Sequence, residues 1–284
     1  IEGNYYMPKN IHFIGKHLAI LAISSLLGLL ALIVVHLLPT EKMQEHVCYS
    51  LDMIEKEFRD EVLIDGFPST LTGNFTDCLM LEHAVYTNPD HNILSQVLYM
   101  YRSESYPGNT NPDGWWPGQS LKDYLENKSQ PREVEYSRYW HGYLIVLKPL
   151  LLLTTVNTLR LLNSALQLIA TGLILVGFCK RNSFTLAVTF LFSLPFLFLV
   201  STYASLSLSI CFYLMSFALL IQLKYHHILC MENHYCYFFL IIGISTAYFH
   251  FLTYPLITLA YPLCVCLYFR QDNFFSSLKH LVIN

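Results

Sequence analysis

The feature that most constrains this chain is the placing of its apolar runs. One reaches from Leu18 to Leu38, and a second series is almost unbroken from about residue 158 to 270. A helix rises about 1.5 Å per residue, so about 20 apolar residues cross a bilayer core of about 30 Å. The second series divides at polar turns into roughly 158–179, 183–201, 204–223 and 235–270. The last piece is too long for one crossing, and Pro255 and Pro262, with the polar patch His250 to Tyr254, divide it into 235–250 and 254–270. The expectation is an all-α, polytopic membrane helix bundle of about six spans. Charged residues make up 13% of the 284, about half the share usual in soluble domains. A signal peptide is the competing reading of the first run. That run is longer than a signal h-region, and Pro39-Thr-Glu-Lys follows it instead of a small-x-small cleavage site.

Between the apolar parts, residues 39–141 form a large hydrophilic, mainly helical region. Seventeen of the 20 acidic residues lie between Glu41 and Glu135, and only eight of the 17 Lys and Arg lie between 41 and 138, a net charge of -9. Such an acidic face excludes a nucleic-acid partner. Met43, Val47, Leu51, Ile54, Phe58 and Val62 repeat at helical spacing, so a helix is expected over Met43–Leu63, with Thr40 as N-cap and Asp65-Gly66 as its end. Shorter helices are expected near 76–85, 91–101 and 120–127, and a loop over 106–118. Lys9 and Lys16, Lys180-Arg181, Lys224 with His226 and His227, and Arg270 with Lys279 fall on one side of the six spans, and the acidic region falls on the other. By the positive-inside rule the N-terminus is cytoplasmic and 39–141 is extracytoplasmic. Cys48 and Cys78 would then meet oxidising surroundings, as a disulfide or as two free thiols. Asn74-Phe-Thr and Asn127-Lys-Ser fit the glycosylation pattern, which is common by chance. The expected organisation is 1–38, N-terminus and first span; 39–141, outer domain; 142–157, an interfacial or re-entrant segment; 158–270, a five-helix membrane region; and 271–284, a cytoplasmic segment with a helix-like stretch, Phe274 to His280. A start at Ile1 and an end just past that stretch read as those of a fragment.

The seam between outer and membrane parts is Tyr136-Ser-Arg-Tyr-Trp-His-Gly-Tyr-Leu-Ile-Val-Leu-Lys-Pro. Charge at a membrane edge is costly and is either functional or an anchor. Arg138 and His141 share a helical face by spacing, Lys148 lies in a stretch too short to span, and Arg160 opens the next span. With Tyr136 they can form a rim for a lipid phosphate or diphosphate, since Arg and Lys make charge-assisted bonds to phosphate oxygens. The competing reading is snorkelling anchorage. His250 sits at the outer end of the fifth span, either in the same cavity or as a turn histidine. Asp77 opens a short apolar helix and is the candidate general base on an acceptor hydroxyl, with Asp65 and Glu82 as rivals. Its plainer role is to stabilise a helix N-terminus. The eight cysteines include no CxxC and no zinc spacing.

This layout resembles the polyprenyl-phosphate-sugar-dependent GT-C glycosyltransferases of bacterial membranes. The likeness rests on Tyr136-Ser-Arg-Tyr-Trp-His-Gly-Tyr and Gly243-Ile-Ser-Thr-Ala-Tyr-Phe-His-Phe-Leu-Thr-Tyr-Pro. His250 is a departure, because that position is often acidic in the related blocks. The resemblance implies a sugar taken from a polyprenyl-phosphate donor, a glycan or lipid acceptor outside the cytoplasm, an outer-loop carboxylate (Asp77) as base, and often a divalent metal such as Mg or Mn. It also implies more than six spans and a plasma-membrane location in the cell envelope. Two other readings stand beside it: a transporter or flippase of lipid-linked glycans, and a non-catalytic sensor or assembly protein whose outer loop binds a ligand. The uncharged third and fourth spans count against a transporter.

Overall fold

The computed structural model describes residues 11–56, 60–105, 117–126, 132–197, 199–231, 234–251 and 254–270. Helix α1 (Ile11–His36) is strongly apolar, with Lys16 as its one charged residue. Only near its end does it reach the interior, where Leu32 and Val35 are buried, while Leu18, Leu26, Leu27 and Val34 stay largely exposed. Apolar side chains displayed along a helix of this length suit hydrocarbon, not water.

The outer region opens with α2 (Glu41–Cys48) and α3 (Leu51–Lys56). The helix expected over Met43–Leu63 is therefore broken at Tyr49-Ser50; residues 60–63 are not helical, and 57–59 lie outside the described residues. Thr40 stands at the N-cap without a side-chain bond to the helix. Residues 61–72 instead fold into a small turn. Thr72 N donates to Glu61 O (2.8 Å), Leu63 N to Thr70 O (3.1 Å), and Ile64 N to Thr70 Oγ1 (3.0 Å). The threonine hydroxyls compete with helical pairing, and Gly66, at φ +80, supplies the left-handed residue. A 3-10 turn over Pro68–Thr70 leads into α4 (Asn74–Val85), in which nearly every residue is buried. Asn74 opens that helix at 4% exposure, so its sequon is closed to a glycan in the folded chain.

Next come α5 (Ile93–Tyr99), capped by Asn92, whose side chain accepts from Ser95 N (2.8 Å), and α6 (Pro117–Leu125). Strand β1 (Arg102–Glu104) pairs antiparallel with β2 (Arg132–Val134), a ribbon the helical reading did not anticipate. Cys48 and Cys78 are not joined by a disulfide. Most of the expected 106–118 loop, the Asn127 sequon and the Phe274–His280 stretch lie outside the described residues.

The seam leads into α7 (Leu144–Leu153), which carries Pro149 and stops at Thr154, where the backbone is extended. Helix α8 (Val156–Lys180) follows, then α9 (Phe184–Ser193), a 3-10 turn through Pro195, α10 (Leu199–Ala204), α11 (Leu206–Leu229), α12 (His234–Phe249) and α13 (Leu256–Arg270). Among the described residues, three helices are long and apolar enough to cross a membrane: Phe13–His36, Val156–Lys180 and Leu206–Leu229. The 183–201 stretch expected as one span is divided at Pro195, which removes a backbone donor. Helix α11 lies at the middle of the bundle against α8, α10, α12 and α13. One continuous core joins Leu32 of α1, Met43 and Val47 of α2, Leu81 and Val85 of α4, Leu121 of α6, and Leu144, Leu147 and Leu151 of α7, so the outer helices and the first membrane helix share one interior.

A tyrosine pins three elements where they cross. Tyr248 of α12 donates its hydroxyl to Gly28 O (2.7 Å), and its carbonyl accepts from Gly142 N (2.9 Å). A Cβ on either glycine would run into the Tyr248 ring, so both positions require glycine for this approach.

Candidate functional site

Helix α4 carries chemistry at both ends. Asp77 lies near its start, 1% exposed, and reaches to the N-terminus of α11. Its Oδ2 accepts from Leu206 N (2.9 Å), and its Oδ1 accepts from Ser207 N (2.8 Å) and Ser207 Oγ (2.6 Å). Arg160 of α8 stands 3.5 Å away. A helix N-terminus presents unpaired N–H groups and a partial positive charge, so a carboxylate there is favoured. Burial raises the Asp77 carboxyl above its ordinary range, against the opposing pull of Arg160 first and then of the Ser207 and Leu206 bonds. Gly73 lets the chain reach this point: its N–H donates to Ser205 Oγ (2.8 Å), and a Cβ there would meet Ser207 Oγ. His250, 2% exposed, hydrogen-bonds to the backbone of the same Ser207. Asp77, Arg160 and His250 therefore come together around one helix end.

The other end of α4 meets the seam. Lys148, 1% exposed, donates Nζ to Ala84 O (2.8 Å). His141, in the left-handed region at φ 54, donates Nε2–H to Tyr136 O (2.8 Å), which leaves Nδ1 to accept from the Tyr143 hydroxyl (3.0 Å). Its ring lies 4.6 Å from that of His83, whose Nδ1–H donates to Leu79 O (2.7 Å). Burial holds His141 neutral by lowering it to about 4, and burial likewise drives His83 well below its usual value. Glu82 accepts from Ser103 Oγ (2.6 Å) and lies 3.8 Å from Arg102. Burial outweighs both partners and raises Glu82 to about 8. The two ends of α4 thus form two buried polar clusters. Tyr136, His141 and Lys148 belong to the second. Arg138 belongs to neither: it is exposed and packs its guanidinium over Tyr139 at 5.5 Å. Of the rival acids, Glu82 is fully buried, and Asp65 is exposed in the Gly66 turn.

Sequence reasoning missed His83, Arg102, Ser207 and a polar seam between α8 and α10. In that seam Gln167 Nε2 donates to Thr202 O (2.7 Å), Thr202 Oγ1 donates to Gln167 Oε1 (2.8 Å), and Asn163 Nδ2 donates to Thr202 O (3.0 Å). A signal existed: Asn163, Gln167 and Thr171 stand four apart, a polar stripe on one face of an apolar helix. Ser205, before an apolar run, also fits a helix start. Nothing in the local sequence marks His83.

Among the described residues, no three His, Cys, Asp or Glu side chains come together as a metal site. No protein-family model matches the chain, and neither a curated protein nor a solved structure matches it.

Proposed function

We propose that the chain is a membrane glycosyltransferase that takes a sugar from a polyprenyl-phosphate donor and passes it to an extracytoplasmic glycan or lipid. In this reading the helices form about six spans, the N-terminus is cytoplasmic, and residues 39–141 lie outside. The observation that supports it is the meeting of Asp77, Arg160 and His250 at the N-terminus of α11. A guanidinium such as that of Arg160 is a group that holds a phosphate, and the Asp77 carboxylate, which itself caps the N-terminus of α11, lies beside it to draw a proton from an acceptor hydroxyl. Among the described residues no set of His, Cys, Asp or Glu side chains is gathered to hold a divalent metal. Purified protein in lipid nanodiscs, given labelled polyprenyl-phosphate sugar and acceptor extract, should transfer label. Asp77→Asn should abolish transfer while the protein remains folded.

A second reading is favoured by one specific observation. The Asp77 carboxylate already has a full set of donors and is 1% exposed. In that reading Asp77 locks the outer domain onto α11, and the protein is a non-catalytic sensor or assembly factor. Transfer by a folded Asp77→Asn protein would favour it over the first.

A further inference from the structure

Helices α11 and α12 flank a half-open groove of about 470 Å³, within the size range of ligand pockets at about 300–1,000 Å³. Its walls are apolar, from Leu214, Phe217, Ile221 and Ile228 on one side and Phe238 and Ile241 on the other. Leu214, Phe217 and Ile221 recur every three or four residues along α11, and Lys224 is the next position on that stripe, just before the backbone leaves helical geometry at Tyr225. Lys224 lies exposed beside the Tyr225 ring, at 5.0 Å. His234 lines the same end of the groove, with Nδ1–H donating to Ile228 O (2.7 Å). Arg181 joins this end of the bundle by donating Nε–H to Leu223 O (2.7 Å). Glu232, the acidic residue between α11 and α12 in sequence, lies outside the described residues.

We infer that this groove is a binding site for an anionic glycerophospholipid, one acyl chain lying in it and the phosphate beside Lys224 and His234. The apolar lining rejects a polar ligand. The acyl chain gains little by leaving one hydrocarbon environment for another, so selectivity rests on the head group. The cationic end of the groove favours a net negative one. The inference requires only that α11 and α12 lie in a membrane, and it is independent of the transferase reading.

The test uses the full chain purified in detergent, mixed with equal amounts of phosphatidylglycerol and phosphatidylcholine of identical chains, and read by native mass spectrometry. One phosphatidylglycerol should be retained per protein, with a preference of about five-fold, the order expected for one lysine at a membrane surface. Lys224→Glu should bring the preference to about one, whereas Lys180→Glu at the same end should leave it unchanged. Ile241→Trp, which plugs the groove from a half-exposed position, should reduce retention of both lipids. Ile221→Trp repeats this from the opposite wall if the first variant melts early. Inorganic phosphate should not displace the lipid. Equal retention of the two lipids, a Lys224→Glu protein that keeps its preference, displacement by inorganic phosphate, or undiminished retention with either groove plugged would overturn the inference.

Discussion

Replacing Asp77 by Ala should cost more stability than any other single change at the α4 junction. The carboxylate takes two backbone N–H groups and one hydroxyl from the first turn of α11, at 2.6 to 2.9 Å, and lies 3.5 Å from Arg160. A hydrogen bond to a charged group contributes about 1.5–3 kcal/mol, and the helix terminus adds up to about 2 kcal/mol. These contributions are not additive. Removing one partner of a buried charged pair costs about 3–5 kcal/mol, which is the range expected for Asp77→Ala. Asp77→Asn keeps an acceptor oxygen and loses the charge, so about 1–3 kcal/mol is expected. Unfolding in mixed micelles, followed by circular dichroism, measures both. A loss below about 1 kcal/mol in the Ala variant would refute the view that this carboxylate ties α4 to α11.

Glu82 should make stability fall as pH rises. Its folded pKa, about 8, lies above the ordinary 4.5, so its contribution is complete below pH 4.5 and is lost as pH rises towards 8. At about 1.4 kcal/mol per unit, the wild type should lose several kcal/mol over that range relative to Glu82→Gln, and parallel stability–pH curves would contradict this. Gly142→Ala should destabilise by about 1–3 kcal/mol, because the added methyl meets the Tyr248 ring. Combining it with Tyr248→Ala should cost less than the two changes separately, as a double-mutant cycle would read. Lys148→Met should cost less than about 1 kcal/mol, because the buried cation has a carbonyl partner and replacing such a charge by an apolar chain is often neutral; a loss of several kcal/mol by thermal melting would show that the charge is needed.

Much of the layout was legible from periodicity and composition. The first apolar run became α1, and the apolar stretches near 158–179 and 204–223 became α8 and α11, the latter extending to Leu229. The short helix expected from residue 76 begins two residues earlier, at Asn74. What failed was local chemistry competing with pattern. The apolar spacing that suggested one helix over Met43–Leu63 did not register that Thr70 and Thr72 would hold residues 61–64 in a turn. The two-stranded ribbon was invisible because three-residue strands carry no period. The site was legible in its members more than in its grouping. Asp77, Arg160 and His250 lie far apart in sequence and meet only because Ser207 gives each of Asp77 and His250 a backbone partner. Tyr136, His141 and Lys148 were grouped by their nearness in the chain, but the histidine that packs against His141 comes from position 83, 58 residues earlier.

The most direct test of the proposed activity is sugar transfer by the purified chain in nanodiscs, with wild type and Asp77→Asn compared at matched folded fraction. The transferase reading predicts label moving from polyprenyl-phosphate sugar to an acceptor in the wild type and none above background in Asp77→Asn. Equal transfer by the two, or donor that is neither bound nor consumed by the folded wild type, would contradict it.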